Sequence, residues 1–499
     1  MKKLRVLIIN EFQSQLYSFK FLVLIFISVI VTCSMMYIKT KNFNEQLITY
    51  QAEIQKTEDV QKTFRVYSEF NRSIFIKPNP LSLFSEGYEN RAGNKSEISL
   101  HEIPELESTA QAKNEFLKIF TSLDVINVVL IILGVMTIFM VSGVISSEKE
   151  DQVIRLILSN NVSRSQYFLA KYIASLTSLT IALLLVFLIS ILFVFFQLIE
   201  MTPHDFLKLF VMFLSCELFV SLYILLSLAI SSSIRTASMS VVTGLSIWLL
   251  LAFVYPNLIN YTVRHIVPSP SIQQLNASIE DIEDKTSNKV WEKWNSIQGD
   301  KNWTFCDFTH GTFGTPELVG LTQKYVFDEL ENAVIQNFPI VLKSQEEIFE
   351  LKRIYKEELI RQRNISSYFL FITPDYLLKE LSSKIAGTDF YQRDLVLNEK
   401  IYSYRSRVID YIKANDGIGL KYFTQVQKKD MQNDFQNYSS EIKEKYSLNN
   451  YSIIDTGNVP QFQIKEKLDI NDIEIVMLLI YNLLLYVLGL FLFNRSNIL

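Results

Sequence analysis

The 499-residue sequence lacks the machinery of an enzyme or a motor. It has no G-x-x-x-x-G-K-[ST] loop to cradle phosphates, no H-E-x-x-H, no C-x-x-C and no G-x-S-x-G. ATP, if it is used, is therefore bound by another chain. There are 4 histidines, and none pairs with a second at metal-ligand spacing. There are 3 cysteines, of which Cys33 and Cys216 sit in apolar runs. Cys306 is then alone in the polar part, which excludes an intrachain disulfide framework there. A formal net charge of -4 gives no basic surplus for a phosphate backbone, so nucleic acid is not an expected partner. Internal repeats and low-complexity tracts are also missing.

Long uncharged runs are present instead. The chain is 49% hydrophobic, and the excess is concentrated in stretches of about 20 residues, the length that crosses a hydrocarbon layer. Six apolar runs are found, at 21–38, 125–145, 172–199, 206–230, 236–255 and 473–493, uncharged but for Lys208 and Glu217 in the fourth and Glu474 at the start of the sixth. The first follows 20 residues of amphipathic sequence rather than a short basic head, and the residues before Cys33 do not suit lipoprotein processing. It is read as an uncleaved span. The polar stretches 39–123 and 257–472 have ordinary soluble composition.

Orientation follows from cationic residues in short connections, which stay on the cytoplasmic side. With the N-terminus inside, Lys2, Lys3, Arg5, Lys20, Lys149, Arg155, Arg164, Lys171, Arg235 and Arg495 all fall inside, and the short outer loop Glu200–Asp205 has no Lys or Arg. The expected fold is an all-α polytopic membrane protein with six transmembrane helices and both termini cytoplasmic. A mostly helical extracytoplasmic domain is built from the loops after helices 1 and 5.

Residues 1–20 read either as an amphipathic helix on the inner membrane surface or as the start of the first span. In the first outer segment, Pro78 and Pro80 are expected to divide one helix from another. In the second, Ser344 and Glu347 form a candidate capping box ahead of Ile348, Leu351, Ile354, Tyr355 and Leu359 at helical spacing. Trp291, Trp294 and Trp303 are assigned to a packed core. Cys306, Asp307 and His310 are the nearest approach to a metal cluster, but have no fourth ligand elsewhere, so no metal site is assigned.

The cytoplasmic connection 146–171 is the informative one. Glu148, Lys149 and Glu150 crowd the membrane exit, and Val153, Ile154, Leu156, Ile157 and Leu158 follow around Arg155. That pattern fits a short amphipathic helix offering charge and an apolar edge to a partner, or a solvated loop; the pattern alone leaves both open. Ser163 is a candidate N-cap for the next helix, which continues through Arg164. Within the spans, Glu217 has no Lys or Arg at its depth to neutralise it. It is either a functional group facing a substrate path or subunit interface, or a satisfied structural carboxylic acid. Thr236, Ser240 and Gly244 form a small-residue stripe in the fifth span for close helix approach, within one subunit or at a dimer seam. Gly134 and Gly143 permit the same in the second.

The connection resembles that of type-2 ABC transporter permeases, in which an acidic pair leaves the second span, a hydrophobic turn follows, and Ser-Arg and a lysine precede the third. Glu148, Glu150, Leu156, Leu158, Ser163, Arg164 and Lys171 take those places, while Asn160-Asn161 stands where many relatives have a proline. Pro78 to Gly87, Thr373-Pro374, Ala386-Gly387-Thr388-Asp389, Tyr404-Arg405 and Val459-Pro460-Gln461-Phe462 resemble a bacterial subgroup with a large extracytoplasmic domain. That subgroup often carries the label multicopper-enzyme maturation, to which a domain poor in His and Cys adds no support.

The resemblance implies an exporter permease in the bacterial inner membrane, without a catalytic site or bound cofactor, and with ATP and Mg on a partner ABC ATPase. It also implies a second permease copy or paralogue. The connection would then be the ATPase-coupling site. Whether a periplasmic partner exists, what is carried and in which direction are not readable. The alternative is a membrane sensor or scaffold of the same architecture that binds an extracytoplasmic partner without transport.

Overall fold

The computed structural model describes residues 2–61, 64–107, 123–160, 162–298, 324–430, 438–447, 450, 452–454 and 473–495. Helix α1 (Lys2–Leu16) ends at a turn over Tyr17 and Ser18, and the first span begins at Phe19. The break is local: Ser18 Oγ donates to Gln15 O and accepts from Phe21 N, so it closes one helix and starts the next.

Six helices are long and apolar enough to cross a membrane, at Phe19–Thr57, Val125–Glu150, Arg164–Phe196, Pro203–Ser233, Ala237–Ile266 and Ile473–Arg495. They are numbered here as spans one to six. The chain is an all-α polytopic membrane protein. Its bundle core includes Leu24, Leu133, Phe168, Leu183, Met212, Phe219, Tyr223 and Phe493.

Two spans are locally irregular for identifiable reasons. Span five carries a π-turn at Leu250–Val254, with Tyr255 between it and Pro256, whose missing N–H cannot join a regular ladder. Span two has a π-turn at Val129–Leu133 and a break at Ser142 and Gly143, beyond which the helix resumes as Val144–Glu150. A second short helix, α2 (Val153–Ser159), follows after Gln152, which adopts the left-handed conformation with φ of 58°.

The polar segments fold together at the other end of the bundle. Strands β1 (Asn71–Phe75) and β2 (Lys95–Ser99) pair antiparallel, with Asn71 opposite Ser99 and Phe75 opposite Lys95. A helix does precede Pro78 in this segment, since the first span continues as helix to Gln61, but β1 lies between it and the prolines, and a 3₁₀ turn at Pro80–Leu83 rather than a long helix follows Pro78. Helices α3 (Ile272–Gln298) and α4 (Lys324–Leu370) pack along each other. Ser344 lies inside α4 with its hydroxyl donating to Val341 O, so it caps nothing; the helix begins 20 residues earlier, at Lys324. Trp291 is 46% exposed on α3 rather than in the core. The side chain of Trp294, together with Trp303, Cys306, Asp307, His310 and Val459 to Phe462, lies outside the described residues.

The domain core joins Ile74 and Ile98 from the strands, Val334 and Phe338 from α4, and Tyr404 and Val408 from a later helix. The segment between α4 and that helix returns to the bundle. Helix α5 (Pro374–Ala386) buries Leu377, Leu378, Leu381, Ile385 and Ala386 in the core of the spans, and Tyr223 of span four donates to Asp375 Oδ2. Helix α6 (Leu397–Ala414) then rejoins the domain core.

Candidate functional site

Three consecutive residues at the end of span two each hold a different part of the bundle. Glu148 accepts from Tyr167 Oη and from Lys171 Nζ (2.5 Å), both on span three. Lys171 also donates to Glu11 Oε2 of α1 at 2.5 Å, and the same Glu11 accepts from Gln15 Nε2 at 3.0 Å. The Lys171 side chain is 7% exposed, so its charge is held almost out of water between two carboxylates.

Lys149 donates to the backbone carbonyls of Ser231 and Ser232, the last turn of span four, where a cation meets orphan acceptors and the negative helix end. Glu150 Oε2 accepts from Ala237 N at 3.0 Å. Thr236, the N-cap residue of span five, supplies no side-chain cap, so Glu150 fills that role with a charge that suits a helix N-terminus.

The break at Ser142 and Gly143 is satisfied locally. Ser231 Oγ accepts from Ile145 N (3.0 Å) and Ser146 N (2.9 Å), two donors that the interruption leaves free of the ladder. Ser240 Oγ donates to Ser142 O. A Cβ on Gly244 would lie 2.7 Å from both Ile138 Cγ2 and Ser142 Oγ, so span five packs on the side chains of span two too closely for a side chain at this position. Gly134 faces the same span, with Trp248 Nε1 3.3 Å from an added Cβ. The stripe Thr236, Ser240, Gly244 thus meets span two of its own chain at Ser240 and Gly244.

Helix α2 projects from this anchored base. Ile154 is 1% exposed and Ile157 and Leu158 are half-buried, whereas Leu156 is 70% and Val153 43% exposed. Arg155 is exposed beside them. Val153 and Leu156, three apart, share a face, which gives a helix one apolar edge against the bundle and another against solvent. The chain turns back through Asn160, whose carbonyl accepts from Lys3 Nζ at 3.2 Å. Ser163 caps span three in a complete capping box with Gln166. Arg164 donates to the carbonyls of Phe493 (3.3 Å) and Asn494 (2.6 Å) at the end of span six.

A family model described as ABC-2 family transporter protein matches residues 5–498. The chain belongs to the ABC-2 transporter family. No curated protein and no solved structure matches it. Membership makes the chain a membrane permease subunit of an ABC transporter, whose family works with an ABC ATPase partner in the membrane.

Glu217 lies away from this ABC-2 connection, between spans three and four. Its Oε1 accepts from Thr180 Oγ1 at 2.5 Å, and its Oε2 has no hydrogen-bond partner among the described residues. Neither Glu11 nor Tyr167 was singled out from the sequence. The available signal was that Glu11 is the sole acidic residue before Glu45, in a stretch otherwise uncharged or basic. Among the described residues no group of three His, Cys, Asp or Glu side chains is arranged to hold a metal.

Two of the segments that carry the subgroup resemblance meet in space. Asn79 Nδ2 donates to Ala386 O (2.6 Å), Thr388 Oγ1 donates to Ser85 O (3.0 Å), and Tyr88 N donates to Thr388 O (2.7 Å). Gly87, at φ of 53°, allows this, because a Cβ there would lie 2.5 Å from Thr388 O. Arg405 donates to Ser99 O (3.0 Å) and Leu100 O (3.1 Å), tying α6 to the end of β2.

Proposed function

We propose that this chain is an exporter permease of the bacterial cytoplasmic membrane, in which α2 is the docking element for a separate ATPase that holds ATP and Mg. The observation that supports it is the exposed edge of α2, Leu156 above all, on a helix whose base is tied by Glu148, Lys149 and Glu150 to spans three, four and five. Leu156, 70% exposed with Val153 beside it on the same face, leaves a small apolar edge that a partner surface can cover.

The mechanism follows from the ties. A push on α2 moves the end of span two. Charge-assisted contacts at 2.5 to 3.0 Å then carry the displacement to span three through Lys171 and to span five through Ala237 N. In this reading the lysine- and arginine-bearing connections are cytoplasmic and the large domain extracytoplasmic. A second permease copy or paralogue completes the translocation path.

Co-purification tests the proposal. An ATPase should accompany the wild-type chain from its native membrane and be lost from Val153→Glu/Leu156→Glu, which changes the free edge and none of the ties. Retention of an ATPase by that variant would remove α2 from the role. Absence of any ATPase from the wild type would favour a sensor or scaffold.

A further inference from the structure

A cavity of about 1100 Å³ lies where the ends of spans one, four and six meet the large domain. It is large for a ligand site, at the upper end of the range of pockets that enclose small molecules. Its lining is divided by origin. The spans contribute Phe43 and Leu47 from span one, Leu207 and Val211 from the first three turns of span four, and Ile475 from span six. The domain contributes Lys77 and Lys400, together with Asn79, Gly387 and Asp389 from the two segments that meet there.

The charges in it are not equally available. Arg393 and Lys384 also line the cavity, but Arg393 is paired with Glu89 at 2.9 Å and Lys384 with Glu474 at 2.8 Å. Asp205 shares a carboxylate oxygen between Thr202 N and Oγ1 at 2.8 Å each, and Asp389 accepts from Gln392 N at 3.1 Å. Lys208 is buried in span four, and Glu200, on the loop between spans three and four, lines the cavity with its carboxylate exposed to solvent. Lys77 and Lys400 have no acidic partner among the described residues. An ammonium without a carboxylate, facing a large cavity with an apolar floor at a membrane boundary, suits a ligand that is anionic at one end and apolar at the other.

We propose that this cavity is a binding site for a phospholipid-class amphiphile, with its phosphate toward Lys77 and Lys400 and its chain over Leu207 and Val211. Pro78 and Pro80 hold the Lys77 segment with fixed φ, and the Asn79 to Ala386 and Thr388 to Ser85 bonds brace the wall beneath it. The site stands whether or not the chain moves a substrate, since it rests on residues at the opposite end of the bundle from α2.

The test uses the full chain in mild detergent and a photoreactive phosphatidylglycerol probe. Label should appear in peptides containing Phe43–Leu47 or Leu207–Val211 of the wild type. Lys77→Gln/Lys400→Gln, with an unchanged melting temperature, should retain about tenfold less probe, the loss of roughly one charge-assisted contact. Inorganic phosphate at equal concentration should not compete. Label confined to other peptides, undiminished retention in the folded variant, or full competition by inorganic phosphate would each overturn the proposal. If the double variant fails to fold, the position of the label on the wild type decides alone.

Discussion

Glu148 and Lys171, 23 residues apart in sequence, meet at 2.5 Å where spans two and three leave the bundle, with the lysine 7% exposed. Glu11 reaches the same ammonium from α1. Removing the lysine leaves two carboxylates facing each other with little water, and a broken buried pair costs about 3–5 kcal/mol. Lys171→Met is expected to lower the melting temperature of the detergent-solubilised protein by several degrees. Adding Glu148→Gln to it should recover part of the loss, and a double-mutant cycle reads the coupling.

The fit of span five on span two predicts a sharp difference between two glycines. Gly244→Ala places a methyl 2.7 Å from Ile138 Cγ2 and Ser142 Oγ, an overpacking that costs about 1–3 kcal/mol. Gly143→Ala meets nothing nearer than 3.9 Å and should be tolerated. Thermal unfolding of the two variants side by side checks this.

The capping box at the start of span three gives a smaller effect. Ser163→Ala removes the acceptor for Gln166 N, at about 1 kcal/mol. Ser163→Asp retains an acceptor and should stay near wild type, so a loss as large as that of alanine would point away from capping.

A pH dependence follows from Asp375 in α5, outside the six spans. Burial pushes its carboxyl up to about 6, against the hydrogen bond from Tyr223, which pulls it down. The folded state therefore binds more protons than the unfolded one between pH 4 and 6, so this group's contribution to stability falls as pH rises through that window. Asp375→Asn should flatten the corresponding slope of melting temperature against pH. An unchanged slope would show that another group carries it.

The six spans were legible because each is a long apolar run, uncharged in four and broken only by Lys208 and Glu217 in span four and Glu474 at the start of span six, of a length that only a bilayer or a large core can bury. α5 was not, since Asp375, Lys379, Glu380 and Lys384 interrupt its 13 residues, and its apolar Leu377, Leu378 and Leu381 form only one face. β1 escaped for a similar reason: Asn71–Phe75 is too short for alternation to register. Ser344 misled because a Ser-x-x-Glu spacing occurs inside helices as readily as at their starts. Glu148, Lys149 and Glu150 stood out as a dense charge group, but their partners lie on spans three, four and five, and Lys171 reaches on to Glu11 of α1, at separations that no local pattern reveals.

The most direct test of the account is site-specific crosslinking from α2 in the native membrane. With Leu156→Cys, a short bifunctional reagent is expected to join this chain to an ATP-binding subunit, and the yield should change when ATP is added. Ile154→Cys, 1% exposed and turned toward the bundle, should give no such adduct. Equal adducts from both positions, or an ATPase captured from neither, would contradict the assignment of α2 as the element through which the ATPase drives the spans.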